Sequence, residues 1–486
     1  MSVRNVEPKI LWNNFADLNA VPRASKKEEQ VIAFMLKFGN DLNLETFQDE
    51  IGNVIIKKPA SSGMEDRKTV ILQSHIDMVH QKNNDTDFDF ATQGIDMIVD
   101  GDWVKANGTT LGADNGIGVA AIMSVLASSE IKHPAIEGMF TVDEETGMTG
   151  ALNLDPSNFQ GEILLNLDTE DDDELSIGCA GGIDTNTSYN YATQEILSNY
   201  TCYEISVKGL IGGHSGMDID KGRGNANKIM NRVMYHLMTR AVDFQIISID
   251  GGSLRNAIPR ESNALIAVEK EALDELSNSF DTIVASIADE FKLIEKNLNI
   301  SLSKAVSPSS KMTESIERNK IIEVIQAVHN GVFRMSPDIE GLVESSSSLA
   351  RVIVKDGEFI AQFLQRSSVE SSRDDVANAV RSPFDLIGAN VIQDGEYPGW
   401  QPNSESEILD IMRELYIKNF NEEPQVKACH AGLECGILSE HLPDVDMISF
   451  GPNIRAPHSP DEKCQISSVQ KFWKYLLSAL EATPVK

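Results

Sequence analysis

The chain has 486 residues, 41% hydrophobic and 24% charged, which is too long for one compact core and ordinary for a globular protein. Its 74 Asp and Glu against 42 Lys and Arg give a formal charge of −32, which disfavours nucleic acid and anionic membranes as partners. No apolar run reaches the roughly 20 residues of a membrane helix, and MSVRNVEPKILWNNF at the start lacks a signal-peptide core.

Five scattered cysteines with no CxxC pair predict free thiols and a cytoplasmic protein. In chain order, residues 28–42 (EEQVIAFMLKFGNDL) have helical apolar spacing. Residues 69–75 (TVILQSH) read as a buried strand that ends in polar residues. Residues 116–129 predict a tightly packing helix of small residues. Two more apolar strands, 137–145 (EGMFTVDEE) and 162–170 (EILLNLDTE), each end in acids. This alternation predicts an α/β domain with a mostly parallel sheet.

From about residue 190 the texture changes. CYEISVKGLIGGHSG, a helical stretch NANKIMNRVMYHLMTRAV, and FQIISIDGGSLRNAIPRESNALIAVE predict an α+β module on an antiparallel sheet. The Ser-rich stretch 301–320 reads as an exposed connection. Near 395 the α/β texture returns with a Pro-Gly-Trp turn at 398–400, a helix over 406–420 and the strand DVDMISFG. The expected organisation is a catalytic domain built from 1–189 and 395–486, interrupted by an inserted α+β lid domain over 190–394.

In open α/β sheets, ligands bind beyond the carboxyl ends of the strands. Four predicted strand ends carry metal-ligating residue types: His75 and Asp77, Glu144 and Glu145, Asp168, and His458 in the loop GPNIRAPHSPDE. Asp114, in TTLGADNGIG, precedes the small-residue helix. Taken singly, each is ordinary: Asp114 suits a helix N-cap, and DTEDDDE suits a solvated acidic loop. Together, two histidines and several carboxylates at one sheet edge make a mixed N/O set suited to Zn²⁺ or Mn²⁺. One carboxylate more than a single ion needs suggests a pair of ions sharing an acid. On extended backbone, residues i and i+2 point the same way, so Asp77 can sit behind His75 and fix its tautomer. His80 lies past the turn and is read as a non-ligand. Neighbouring Glu144 and Glu145, read as a strand end, would point to opposite sides and do different work.

The motifs SHIDMV, TTLGADNGIG, VDEETGMTGA, NLDTED, GGHSG, SLRNAIPRE and GPNIRAPHSPDE occur in this order from about residue 75 to 462. As a set they resemble the aminoacyl-histidine dipeptidases, within the dizinc peptidase family that also holds carnosinases and aminoacylases. The resemblance implies a dizinc-exopeptidase fold and hydrolysis of unblocked dipeptides, with Xaa-His preferred. It implies two divalent ions, most simply Zn²⁺, with Mn²⁺ or Co²⁺ also suited. His75 and Asp168 would hold one ion, Glu145 and His458 the other, and Asp114 both, with a cis peptide between Asp114 and Asn115. Asp77 would orient His75, and Glu144 would be the general base. His214 in GGHSG would reach the partner subunit's site as an oxyanion donor, and Asn256 and Arg366 would bind substrate. A homodimer joined through the inserted domain is the expected assembly. The chain departs from the family at Ser348, where Asn is common, which bears on lid packing or substrate recognition. His430, in CHAGLECG, fits either a pocket wall or a structural loop.

Two other readings compete. An N-acyl-amino-acid deacylase or carboxypeptidase could use the same scaffold, and the long insert and the GLECG and IRAPHSPDE stretches favour the dipeptidase. A non-catalytic descendant would be expected to have lost the base or a ligand, and here Glu144 and all five expected ligands are present.

Overall fold

The computed structural model describes residues 2–83 and 86–486. The chain divides into two compact units: Met1–Gly178 with Trp400–Ala428 and Leu433–Lys486, and Cys179–Gly399 with Cys429–Gly432. The first boundary lies at 178 rather than 189. The strand Gly181–Asn190 pairs along its length with Glu358–Ser367 and Asn390–Tyr397, so it belongs to the second unit's sheet.

The first unit is built on an eight-stranded sheet. Its four central strands, Ile136–Thr141, Val70–His75, Ile163–Asn166 and Asp446–Ser449, run parallel in that order. Parallel pairing stops there. Val54–Lys58 runs antiparallel to Ile136–Thr141, and Glu174–Cys179 antiparallel to Asp446–Ser449. The sheet is therefore mixed, with a parallel centre. Every residue of Val70–His75, Ile136–Thr141 and Ile163–Asn166 is buried. This is why they read as continuous apolar runs rather than alternating ones.

The small-residue helix spans Ala113–Ala127, with non-helical backbone at Asp114 and Asn115 and a cis peptide between them. A Cβ at Gly118 would lie 2.3 Å from Ser74 Oγ and 2.7 Å from the Leu167 carbonyl. Only glycine permits so close a seat on the sheet.

The strand expected over 137–145 ends at Thr141. Asp143 adopts a left-handed conformation (φ 53°), and Glu144–Gly147 forms one helical turn. The two glutamates are thus separated by helical rotation, about 100° per residue, rather than by strand alternation.

The second unit carries a nine-stranded sheet that is antiparallel at every described pairing. The helices Ala226–Thr239, Leu273–Phe291, Ser315–Ala327 and Glu370–Leu386 contribute to its core beside the sheet. The Ser-rich stretch is mostly structured. Asn299–Lys304 pairs with Tyr200–Lys208, and Lys311–Thr313 pairs with Thr193–Glu195. Asn299–Lys304 is the edge strand of the large sheet and mostly exposed, which accounts for its polar residues.

Burial along Glu358–Ser367 alternates at first and becomes continuous from Phe363 onward. The end that carries Arg366 therefore lies inside the unit. Among the described residues no helix is long and apolar enough to cross a membrane, and Cys202 and Cys464 are free thiols.

Phe384 is fully buried on the helix Glu370–Leu386 and meets Phe363 edge-on, with ring centroids 5.6 Å apart. Phe384→Ala is expected to cost about 3–5 kcal/mol through lost burial and a cavity, read as a lowered urea midpoint for the second unit.

Candidate metal centre

The three central strands that carry His75, Glu144–Glu145 and Asp168 deliver them within a few residues of their carboxyl ends, and the loop after the fourth brings His458. Asp114 lies between the two histidines. Its Oδ1 is 3.2 Å from His75 Nε2 and its Oδ2 is 3.2 Å from His458 Nε2. His75 Nε2 also lies 3.6 Å from Asp168 Oδ1 and 3.9 Å from Glu144 Oε2. His458 Nε2 lies 2.9 Å from Glu145 Oε2. His75, Asp114 and Glu145 each offer a ligand atom within 4.8 Å of the others.

Asp77 is fully buried, with Oδ1 3.3 Å from His75 Nδ1. Its oxygens also accept the backbone N–H groups of Glu144 (3.1 Å) and Glu145 (3.4 Å). One carboxylate therefore orients a histidine and the turn that carries both glutamates.

The fit to a cation rests on three features. Glu145 Oε1 and Asp168 Oδ1 are buried without a hydrogen-bond partner, a costly condition that positive charge relieves. The donor set is imidazole plus carboxylate, which suits Zn²⁺, Mn²⁺ or Co²⁺. Both histidines sit where the surrounding carboxylates favour positive charge. Hydrogen bonds to Asp114 and Glu145 push the His458 imidazolium up to about 11. Burial opposes protonation of His75, yet Asp168, Asp114 and Asp77 hold it well above its ordinary value.

The carboxylates divide. Against the effect of burial, His458 and His75 hold Asp114 well below the usual range. Burial raises Glu144 well above it, helped by Glu434, Glu145 and Asp114 and opposed by His75. Burial likewise raises Asp168.

Three buried residues around this cluster were not singled out from sequence. Glu434 Oε2 accepts from Gln73 Nε2 (2.7 Å) and Thr141 Oγ1 (2.8 Å), and burial pushes its carboxyl up to about 7. Glu462 accepts backbone N–H groups ahead of the small-residue helix, and Arg23 lies under the same loop. Glu434 and Glu462 do sit inside quoted motifs, GLECG and APHSPDE. Their burial is the work of tertiary partners, which no local pattern announces.

The second unit gathers His214 and Arg366. His214 Nδ1 accepts the N–H groups of Gly216 (3.1 Å) and Met217 (3.0 Å). This places the ring proton on Nε2, which lies 3.5 Å from Arg366 Nη2. Two donors thus face one space, an arrangement that calls for an acceptor. Arg366 Nη1 donates to Tyr397 Oη at 2.7 Å. Burial and then Arg366 lower His214 to about 4, so the ring is neutral.

Asn256 joins this group through its backbone: its carbonyl accepts Ser215 N–H at 2.9 Å, while its residue surface is exposed. Ser348 is buried and its Oγ has no partner. His430 is buried, with Nε2 2.8 Å from Ser346 Oγ.

A histidine–carboxylate cage at the carboxyl edge of a parallel core, with an α+β insert in the chain, is the architecture of the dizinc exopeptidases. The peptidase family M20/M25/M40 model matches residues 71–482. The chain belongs to that family and is a peptide hydrolase. It is 40% identical over 481 residues to the cytosol non-specific dipeptidase of Escherichia coli (strain K12), covering 99% of each chain. It also resembles the crystal structure of aminoacylhistidine dipeptidase from Vibrio alginolyticus, with a TM-score of 0.94 and 41% identity over 100% of this chain and 99% of that one. Aminopeptidase PepT from Bacillus cereus ATCC 10987 shares the fold at a TM-score of 0.56 and 16% identity, over 98% of each chain.

Burial, then Arg366 and His214, push His430 down to about 3. The unfolded chain, with an ordinary value near 6.5, binds this proton first. Stability is therefore retained above about pH 6.5 and lost as pH falls towards about 3. His430→Gln is expected to flatten part of that acid-side decline, measured as the urea midpoint against pH.

Proposed function

We propose that the protein hydrolyses the peptide bond of unblocked dipeptides in a metal-dependent reaction, with Xaa-His among its preferred substrates. The observation that carries this is Asp114, which turns one carboxylate oxygen to His75 and the other to His458, both at 3.2 Å. His75 and Asp168 would hold one divalent ion and Glu145 and His458 a second, with Asp114 shared between them. Such ions, when bound, polarise a scissile carbonyl and make water a nucleophile near neutral pH.

The chain's own residues supply the rest. Glu144, with its turn pinned by Asp77, takes a proton from the attacking water and returns it to the leaving amine nitrogen. Its raised proton affinity suits a general base that must also act as an acid. His214, reaching the partner subunit's site, donates from Nε2 to the oxygen on which charge develops. Arg366 offers its guanidinium fork to the terminal carboxylate of the dipeptide, and Asn256 adds a polar contact. The second unit takes the roles of lid and dimer contact in a homodimer, and the protein is cytoplasmic. Likeness over almost the full length to two dipeptidases supports the substrate class. One of those relatives is called non-specific and the other is named for aminoacylhistidines, so breadth of choice is a matter for a substrate panel.

Glu144→Gln is expected to keep its bound metal and lose about 10²–10⁴ in kcat. Metal analysis beside initial rates checks this, and unchanged turnover removes Glu144 from the mechanism. Prolonged chelation should abolish turnover, and Zn²⁺, Mn²⁺ or Co²⁺ should restore it. On a panel of Gly-His, β-Ala-His, Gly-Gly and N-acetyl amino acids, the free dipeptides are expected to turn over. Hydrolysis of the acetylated compounds alone would instead make the protein a deacylase.

A further inference from the structure

We infer that Glu462 and Arg23 are positioning residues that clamp the Leu111–Asp114 loop from both sides and so preset Asp114 between His75 and His458 before any metal binds. This rests on the metal-site reading above and assigns the clamp a task within it.

Glu462 is 2% exposed, and its carboxylate accepts four backbone amides. Oε2 accepts from Leu111 N (2.7 Å) and Gly112 N (3.0 Å), and Oε1 accepts from Ala113 N (2.7 Å) and, at 3.3 Å, Asp114 N. Both oxygens are thus spent on one loop, and its last residue is the shared aspartate. Carbonyls of the same loop are held from the other side. Arg23, also 2% exposed, donates from Nη2 to the Gly112 carbonyl, and Asn19 Nδ2 donates to the Leu111 carbonyl at 2.9 Å. Two consecutive peptide units are therefore gripped by donors and acceptors together.

The clamp reaches the other ligand-bearing segments. Arg23 Nη1 donates to the carbonyls of Ile76 (3.2 Å) and Asp77 (3.0 Å), directly after His75. Arg23 also accepts the Met78 N–H through its own carbonyl at 3.1 Å. At the far end, Glu462 N–H donates to the Ser459 carbonyl at 3.0 Å, next to His458. One buried acid and one buried base thereby tie together the segments that bear His75, Asp114 and His458. Gly112 makes room for this. It sits at φ +68°, and a Cβ there would fall 2.4 Å from Arg23 Nη2.

Such buried charges are expensive to place for folding alone. Groups of this kind, holding ligands rather than metal, typically change metal affinity about 10–100-fold when altered. Gln at 462 would keep the reach but turn an NH₂ donor towards N–H donors.

The test uses the full-length protein stripped by chelation and titrated with Co²⁺, reading the visible absorption band against a competing chelator. Glu462→Gln is expected to bind Co²⁺ about 10–100-fold more weakly, with an altered band. Glu137→Gln is the control for a purely structural role. Glu137 is also buried and accepts backbone amides, Gln160 N and Gly161 N at 2.9 Å, but at the amino-terminal end of its strand. It should lower thermal stability and keep the wild-type Co²⁺ affinity and band. A folded Glu462→Gln protein with wild-type affinity and band overturns the inference. If that variant does not fold, Arg23→Lys is read by the same criterion. Amide hydrogen exchange of the wild type gives a reading without any substitution. Residues 111–114 should be equally protected with and without Co²⁺, and free exchange in the stripped protein also overturns the clamp. A wild-type protein that binds no Co²⁺ sinks the metal-site reading itself, whereas equal binding by wild type and variant sinks only the clamp.

Discussion

The first unit is organised around one electrostatic problem: carboxylates brought together where little water reaches them. Asp77, Asp114, Glu144, Glu145, Asp168, Glu434 and Glu462 all crowd one edge of the sheet. Unpaired carboxylates cannot all stay ionised in such a place. The structure resolves this by dividing them. Those facing a histidine, Asp77 and Asp114, are held ionised despite burial. Glu144 and Asp168 lie farther from His75, at 3.9 and 3.6 Å, and burial, then the neighbouring acids, pushes them towards the neutral form. A pair of neighbouring groups driven apart in this way is what acid–base chemistry uses. Metal binding at such a site would compete with protons for the same ligand atoms, so affinity would depend on pH.

The backbone makes that crowding tolerable. The parallel strands end together, so ligand types arrive at one edge without long loops. Amides then do the work that water would do outside. Asp77 takes two N–H groups from the Glu144 turn, and Glu462 takes those of the Asp114 loop. A carboxylate fed by backbone amides is both stabilised and aimed. Asp77 is the tightest case, because the side chain that faces His75 also fixes the glutamate proposed to move the proton.

Much of this was legible in the sequence because buried parallel strands leave a plain record. VILQSH and EILLNLDTE are unbroken apolar runs with polar ends, and the topology of a parallel core turns such ends into neighbours. The i, i+2 relation of His75 and Asp77 was legible for the same reason. The turn after Thr141 was not. Apolar residues followed by acids look like a strand running out, but Thr146 and Thr149 both hydrogen-bond the Asp143 side chain and stabilise a helical turn. The domain edge at 178 was missed because Gly181–Asn190 is a strand whichever sheet it joins, and only pairing with 358–367 decides the matter. Arg23 left no signal, and Glu462, although inside GPNIRAPHSPDE, gave no sign of its burial. A single Arg or Glu is usually at the surface, and these are buried by partners 50 to several hundred residues away.

The two units, each taken alone, differ in hydrogen-bonding sign. The polar cluster of the first is rich in carboxylates, which suit cations, and bound ions would supply the positive charge that meets a substrate carbonyl. In the second, Arg366 and His214 Nε2 both present donors. Within it, Arg366 and His214 are not equivalent. A guanidinium binds a carboxylate equally well before and during reaction, which gives affinity but no acceleration. His214 is kept neutral by burial and by Arg366 itself, and its proton is fixed on Nε2 by two backbone amides. A neutral, preoriented donor gains most when its acceptor acquires charge, which is the condition an oxyanion meets and a resting carbonyl does not. Under the proposed reaction, then, the arginine accounts for selection of a free carboxyl terminus and the histidine for rate, and the same desolvation that silences His214 as a base makes it useful as a donor.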